Sequence, residues 1–287
     1  MCGARLWEGP FMTAEVWMGY LVDHQSDFTV VQSPFVLDSV RVFGADSDAT
    51  TLAVAGVLHR LQHDSIESIS VPDGMDGASL SSATHVVLHD IEAEGEASWE
   101  VLMSDEATVV VARRGASVEL QKLDVEIEVD RKFHTAMMDA WARELSNAHV
   151  SQGAYISRAQ YEEAAQSRLS MQGQVIHSTV SWPPRFSHLV DGDQPPLHQL
   201  QRAGAIQSWT TLSAAGAPSE FALRAPLLGG ISTVFLQLDD GPRGVFLTVD
   251  DEDSTFTMDA RMELVFRRLY AQEGFVRYGL KARAIHI

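Results

Sequence analysis

The sequence predicts a two-part chain: an α/β unit over residues 1–130 and a small all-β barrel over 203–287, joined by helices over 131–172 and a Trp/Pro-containing segment over 173–202. Three observations predict it. In the first part a helical apolar rhythm is followed by alternating runs. A second helical rhythm follows at 133–148. In the last part, five β-rich runs are separated by Gly, Pro, Asp and Ser clusters at spacings that suit a barrel.

At 287 residues there is room for two domains of ordinary size, and 45% apolar with 21% charged residues is a globular balance. The formal charge of -18 argues against a nucleic-acid-binding surface, which needs clustered Lys and Arg. An acidic exterior keeps a chain soluble, and would also suit a saline cytosol. The single cysteine, Cys2, excludes an internal disulfide framework and any Cys-based zinc site. A reducing cytoplasm is the expected location. The longest apolar stretches fall far short of the roughly 20 residues that a membrane span needs. Arg5, Glu8 and Pro10 make the first residues a poor secretion signal.

Taken in order, Leu52, Ala55, Val57, Leu58 and Leu61 fall on one side of a helix that Asp46 or Asp48 would cap. Residues 65–71 alternate as a strand, 83–88 read as another and 101–112 as a third. His85, His89 and Asp90 crowd one strand end, where two histidines and a carboxylate could bind a metal or move protons, but the two histidines share a face only by strand alternation and no functional role is expected of them. Phe133, Met137, Met138, Trp141 and Leu145 form one apolar stripe of a helix over 133–148. A further helix is expected over 157–171, with Glu162 and Glu163 in early turns where the dipole favours negative charge.

The barrel strands are expected at 205–212, 229–238, 244–249, 262–266 and 274–287. Val234, Leu236 and Leu238 alternate with Phe235 and Gln237, and Asp239-Asp240-Gly241-Pro242 is a turn. The acidic run at 250–253 reads as a solvated loop, because a calcium site needs a defined ligand spacing and a glycine turn.

The order of these C-terminal pieces resembles one family. Ser208-Trp209-Thr210 is followed by Ala225-Pro226, then the strand pair around Gly241 and Arg243, then Met262-Glu263-Leu264-Val265-Phe266, and finally Tyr278-Gly279-Leu280-Lys281-Ala282-Arg283. The match over residues 203–287 is similar to the OB-fold proteins, usually preceded by a rubredoxin-like zinc ribbon, that accompany thiolases and hydroxymethylglutaryl-CoA synthases. The resemblance implies an OB barrel that contacts coenzyme A, and a lead-in helix, here carrying Tyr161 and Arg168, that docks on a partner enzyme.

The ribbon departs from that family. Trp182-Pro183-Pro184-Arg185 looks like the family's "F-P-P-R", which sits between two C-x-x-C pairs. The corresponding positions fall near Gln174, His177, His188 and Asp191, and none is a cysteine. His177, His188 and Asp191 are chemically able to bind zinc, but a metal-free remnant held by packing around Trp182 is the expected state.

Residues 44–55, Gly-Ala-Asp-Ser-Asp-Ala-Thr-Thr-Leu-Ala-Val-Ala, resemble a helix-opening segment of hydroxymethylglutaryl-CoA synthases of the thiolase fold, and 101–112 resembles a glycine-rich strand of the same enzymes with Ser104 and Glu106 in place of glycines. Such synthases need a nucleophilic cysteine at a buried helix N-terminus. Cys2 lies far before any such helix, and only about thirty residues separate Val71 from Val101. The α/β unit is therefore expected to be degenerate and without catalytic residues. The eleven histidines are scattered, and no H-E-x-x-H, G-x-S-x-G or G-x-G-x-x-G motif occurs.

Between Arg261 and Arg283 six basic residues face two acids. Coenzyme A phosphates need cationic partners, so Arg243, Arg267, Arg268, Arg277, Lys281 and Arg283 are the expected contacts of coenzyme A or an acyl-CoA. No permanently bound cofactor is expected. The resemblance implies a noncatalytic scaffold that bridges an acetoacetyl-CoA thiolase and a hydroxymethylglutaryl-CoA synthase in a hetero-oligomer at the start of mevalonate and isoprenoid synthesis. Two alternatives stand beside it: an active condensing enzyme of the synthase type fused to an OB domain, and an OB module for single-stranded nucleic acid.

Overall fold

In the computed structural model, which describes residues 15–89, 97–120, 123, 125–146, 165–166, 168–184, 196–252, 255–272 and 274–285, the chain is mainly β with few helices. A meander opens it: β1 (Glu15–Trp17), β2 (Tyr20–His24) and β3 (Phe28–Gln32). The short strands β4 (Phe35–Leu37) and β5 (Val40–Arg41) follow, then helix α1 (Ala49–Arg60), β6 (Ser68–Ser70), helix α2 (Gly77–Thr84), β7 (Val87–His89), β8 (Trp99–Ser104) and β9 (Thr108–Arg113). They assemble a seven-stranded sheet in the order β1-β2-β3-β9-β8-β6-β7, antiparallel from β1 to β8 and parallel from β8 to β7.

Helix α1 starts where the Asp48 side chain accepts from the Thr51 N–H at 3.0 Å and the Thr51 hydroxyl accepts from the Asp48 N–H, also at 3.0 Å, a reciprocal cap. It packs on β3 and β9 with one side and on the barrel with the other. That double burial explains why Leu52-Ala53-Val54-Ala55 is small and apolar without a polar face. Gly56 permits the close approach to the sheet, since a Cβ there would sit 2.9 Å from a Val31 methyl and 3.0 Å from a Val111 methyl.

Beyond the sheet, β10 (Ile127–Glu128) extends the β4–β5 hairpin, and Asp130 caps helix α3 (Arg131–Leu145). A three-stranded ribbon in the order β12-β11-β13 comes next, built from β11 (Gln172–Ile176), β12 (Thr179–Ser181) and β13 (Leu197–Gln199). The chain ends in a closed barrel of β14 (Ala203–Leu212), β15 (Ile231–Leu238), β16 (Arg243–Thr248), β17 (Arg261–Gln272) and β18 (Phe275–Ala284). Its order, β14-β15-β16-β18-β17, returns to β14, and only β16–β18 is a parallel pair. This is an OB-like five-stranded barrel. Val234, Leu236 and Leu238 point into its core, as their alternation predicts. One apolar cluster runs without a break from Tyr20, Leu52 and Trp99 through Leu264 and Phe266.

Several sequence expectations need correction. Residues 101–112 are not one strand but the β8–β9 hairpin, turning at Asp105-Glu106-Ala107. Ala83 and Thr84 end α2 rather than begin a strand, because Asp76 caps a helix through the Ser79 N–H. On α3 the buried line is Met137, Ala140, Trp141 and Glu144, while Leu145 is exposed. The expected stripe is rotated because Glu144 finds a buried arginine. Of the helix expected over 157–171, residues 157–164 lie outside the described residues, and Ala165, Gln166, Arg168 and Leu169 are helical. No helix among the described residues is long and apolar enough to cross a membrane.

Candidate functional site

The barrel meets the seven-stranded sheet and helix α1 along a seam of buried charge. Asp46, in the loop before α1, is fully buried. Its Oδ2 accepts from Lys281 Nζ of β18 at 2.8 Å, and its Oδ1 lies 3.4 Å from Arg267 Nε of β17. Arg267 and Lys281 share a face of the β17–β18 pair, since Val265 lies opposite Lys281 and Gly279 opposite Arg267. Lys281 also reaches Asp250 at 2.6 Å, and Asp250 accepts from Arg224 at 3.1 Å. Arg224 in turn donates to Glu144 of α3 at 2.7 Å while its guanidinium lies 3.8 Å from the Trp141 ring centre.

Neutral contacts complete the seam. Arg267 donates to the Tyr20 hydroxyl at 2.6 Å and to the Met18 carbonyl at 3.0 Å. The left-handed Gly19 beside them, at φ 81°, has no room for a side chain, because a Cβ would lie 2.8 Å from Arg267 Nη2. Tyr278 donates to Asp48 at 2.7 Å, and both Arg268 and Trp141 donate to the Ala45 carbonyl, at 3.2 and 2.8 Å.

These contacts set the protonation states. Burial alone would raise the Asp46 carboxyl, but Lys281 and Arg267 together hold it below its ordinary value. Burial, followed by the negative charge of Asp46, pushes neighbouring Asp251 up to about 7. Burial likewise raises the Tyr20 hydroxyl to about 12 and keeps it neutral. The acidic stretch is therefore not the solvated loop expected from its composition: Asp250 is a buried bridge, and Glu252 pairs with Arg283 at 2.6 Å.

The expected coenzyme A contacts divide accordingly. Arg267 and Lys281 are consumed by Asp46, Asp250 and Tyr20. Arg268 faces Ala45, Asp48 and the Trp141 ring, and Arg283 pairs with Glu252 and Glu263. Arg277 is buried, 3% exposed. Much of this basic end is answered internally: Asp46 and Asp48, more than 200 residues earlier, meet Arg267, Arg268 and Lys281, while the nearby Glu252 and Glu263 meet Arg283. Arg243 alone of the six lies exposed on the barrel, where it donates to Gln237.

Arg243 lines a cavity of about 610 Å³ between barrel and ribbon. Trp182 stacks on Phe246 there, with ring centres 5.9 Å apart, and Leu280 and Tyr278 continue the apolar wall. Arg168 is a second cation on its lining. A second cavity, of about 480 Å³, has Asp250, Asp251 and Glu252 in its wall and is less suited to an anion. The first has the size and the mix of apolar wall and few polar groups that small ligands use.

Of the ribbon positions considered for zinc, Gln174 is buried on β11 opposite Ser181 and His177 sits in an exposed turn. His188 and Asp191 lie outside the described residues, as do Cys2, Asp90, Tyr161 and Arg185. The seam residues Asp46, Asp250, Glu144 and Arg224 were not expected as a group. Glu144 and Arg224 interrupt apolar patterns, whereas Asp46 and Asp250 lie in acidic stretches that give no sign of burial.

No family model matches the chain, and no curated protein matches it. Among solved structures it is similar to an "Ltp2-ChsH2(DUF35) aldolase", at 20% identity and a TM-score of 0.31, over 45% of this chain and 98% of that one.

Proposed function

We propose that this chain is a noncatalytic, CoA-associated accessory subunit that bridges an acetoacetyl-CoA thiolase and a hydroxymethylglutaryl-CoA synthase. The observation that carries the reading is the cleft of about 610 Å³ in which Trp182, Phe246 and Leu280 form an apolar wall beside Arg168 and Arg243. An acyl-pantetheine arm needs an elongated, largely apolar groove, and the nucleotide phosphates need guanidinium partners. The C-terminal motif order supports coenzyme A as the source of both. Arg243 follows the Gly241 turn where that order places a basic residue.

The sequence contains one cysteine, Cys2, so it supplies no second thiol to act as a condensing nucleophile. Transfer of acetoacetyl-CoA between two enzymes held together makes thermodynamic sense, since its formation is unfavourable and prompt consumption pulls the reaction forward. The α/β unit, locked to the barrel through Asp46, extends the surface available to those enzymes. Affinity purification of the chain from its native cell is expected to recover both a thiolase and a synthase. Recovery of neither overturns the reading.

A further inference from the structure

We propose that His24, His59 and His63 form a binding site for a divalent transition-metal ion, with Glu15 fixing the His59 ring. One nitrogen from each of the three imidazoles lies within 4.8 Å of the other two. The ring centres are 4.3 Å apart for His24 and His63, 5.3 Å for His59 and His63, and 5.4 Å for His24 and His59. The scatter of histidines along the sequence therefore conceals one convergence.

The fold brings them together for local reasons. His59 sits in the last turn of α1, and the chain continues in turns beyond it, with Leu61 N–H bonding the Val57 carbonyl and His63 N–H the Arg60 carbonyl. The four-residue step puts His59 and His63 on one side. His24 ends β2 alongside. A cation at this end of α1 meets the negative pole of the helix.

Existing hydrogen bonds hold two of the three rings and leave one nitrogen of each outside those bonds. His59 Nε2 lies 3.1 Å from the Glu15 carboxylate, which can only accept, so this nitrogen carries the proton. The lone pair is left on Nδ1, which is buried and has no hydrogen-bond partner among the described residues. A carboxylate behind a histidine is the usual support of a metal ligand. His24 Nδ1 lies 3.2 Å from the Thr29 hydroxyl, which leaves its Nε2 on the other side. Arg60 Nη1 lies 3.5 Å from that Nε2, and Asp64 and the carbonyls of Gln25 and Ser26 hold its guanidinium.

Neutral imidazoles suit zinc, nickel, copper and cobalt rather than magnesium or calcium. Three histidines leave a fourth position for water, and the exposure of His63 opens it to solvent. Binding would draw the nitrogens inward to about 3.3 Å from one another, the spacing of a tetrahedral site with zinc-nitrogen bonds of about 2.0–2.1 Å. The exposed His63 ring is free to make that movement.

The test uses tag-free, full-length protein stripped with a chelator and titrated with Co²⁺, read by its visible d–d absorption, with Zn²⁺ as competitor. One equivalent is expected to bind, with affinity reduced at least tenfold in His63→Ala and His24→Ala and about 10- to 100-fold in Glu15→Gln. His177→Ala, a control in an exposed turn elsewhere, is expected to bind as the unaltered chain does. Absence of saturable one-to-one binding overturns the proposal, and so does undiminished binding by His63→Ala, whose exposed position separates ligand loss from misfolding.

Discussion

The Lys281 ammonium lies 2.8 Å from the Asp46 carboxylate across 235 residues of sequence, and both groups are almost completely buried. This pair joins the last strand of the barrel to the loop that opens α1. Its partners, Arg267, Asp250 and Arg224, extend the contact to β17 and α3. The barrel and the seven-stranded sheet with its helices therefore share one electrostatic lock as well as one apolar core.

Removing one member of that lock should be far worse than removing the pair. Lys281→Met leaves Asp46 and Asp250 buried with less compensation and is expected to cost about 3–5 kcal/mol in denaturant unfolding. Adding Asp46→Asn to it is expected to return a large part of that loss. Equal stability of Lys281→Met and the unaltered chain would mean that the seam is solvated.

Asp251 makes the lock sensitive to alkali. Its folded pKa of about 7 lies above the unfolded value of about 3.9. The folded state thus holds this proton more tightly, and the resulting stability is full below pH 4 and lost as pH rises through 7. Asp46 has the opposite sign: its lowered pKa contributes above the unfolded value and is lost on acidification. Asp251→Asn should therefore raise Tm at pH 8, by about 2–4 °C for each ~1 kcal/mol recovered, and leave the difference between pH 5 and pH 8 smaller than in the unaltered chain. Thermal melts at the two pH values check the sign.

Arg243 and Arg267 should separate binding from folding. Arg243→Glu, at an exposed position, is expected to weaken binding of coenzyme A about tenfold by calorimetry with Tm unchanged. Arg267→Ala is expected to lower Tm sharply, since its charge answers Asp46 inside the seam. Retention of full affinity in Arg243→Glu would move the ligand away from the barrel–ribbon cleft.

Incubated alone with acetyl-CoA and acetoacetyl-CoA, the chain is expected to release no free thiol above the uncatalysed rate. Thiol release dependent on the protein would favour a condensing enzyme over an accessory subunit.

The local elements were the most legible part of the sequence. The alternation of Val234, Leu236 and Leu238 reports a strand with one buried face, and the acids at 46 and 48 report a helix start that Asp48 caps, because each signal is contained within a few residues. The seam was illegible for the opposite reason. Arg267 and Lys281 look like free cations until an aspartate from the first fifty residues is placed against them, and no periodicity encodes that pairing. Glu144 shows the same effect within α3, where a buried ion pair with Arg224 turns the helix away from the stripe of Phe133, Met138 and Leu145. Of the residues that line the barrel–ribbon cavity, Arg243 stands beside the turn at Gly241 in the sequence, whereas Arg168 and Trp182 join it only through tertiary packing. The four-residue step of His59 and His63 is lost among eleven scattered histidines, and neither His24 nor Glu15 carries a local signal that joins them to it.

The most direct test of the proposed bridging role is the amount of free acetoacetyl-CoA in a mixture of the cell's thiolase and synthase turning over acetyl-CoA. Adding this chain is expected to lower the free intermediate while product formation continues at least as fast, and Arg243→Glu should reverse part of that effect. An unchanged pool of free acetoacetyl-CoA, with both enzymes active and the chain present in excess, would contradict the account.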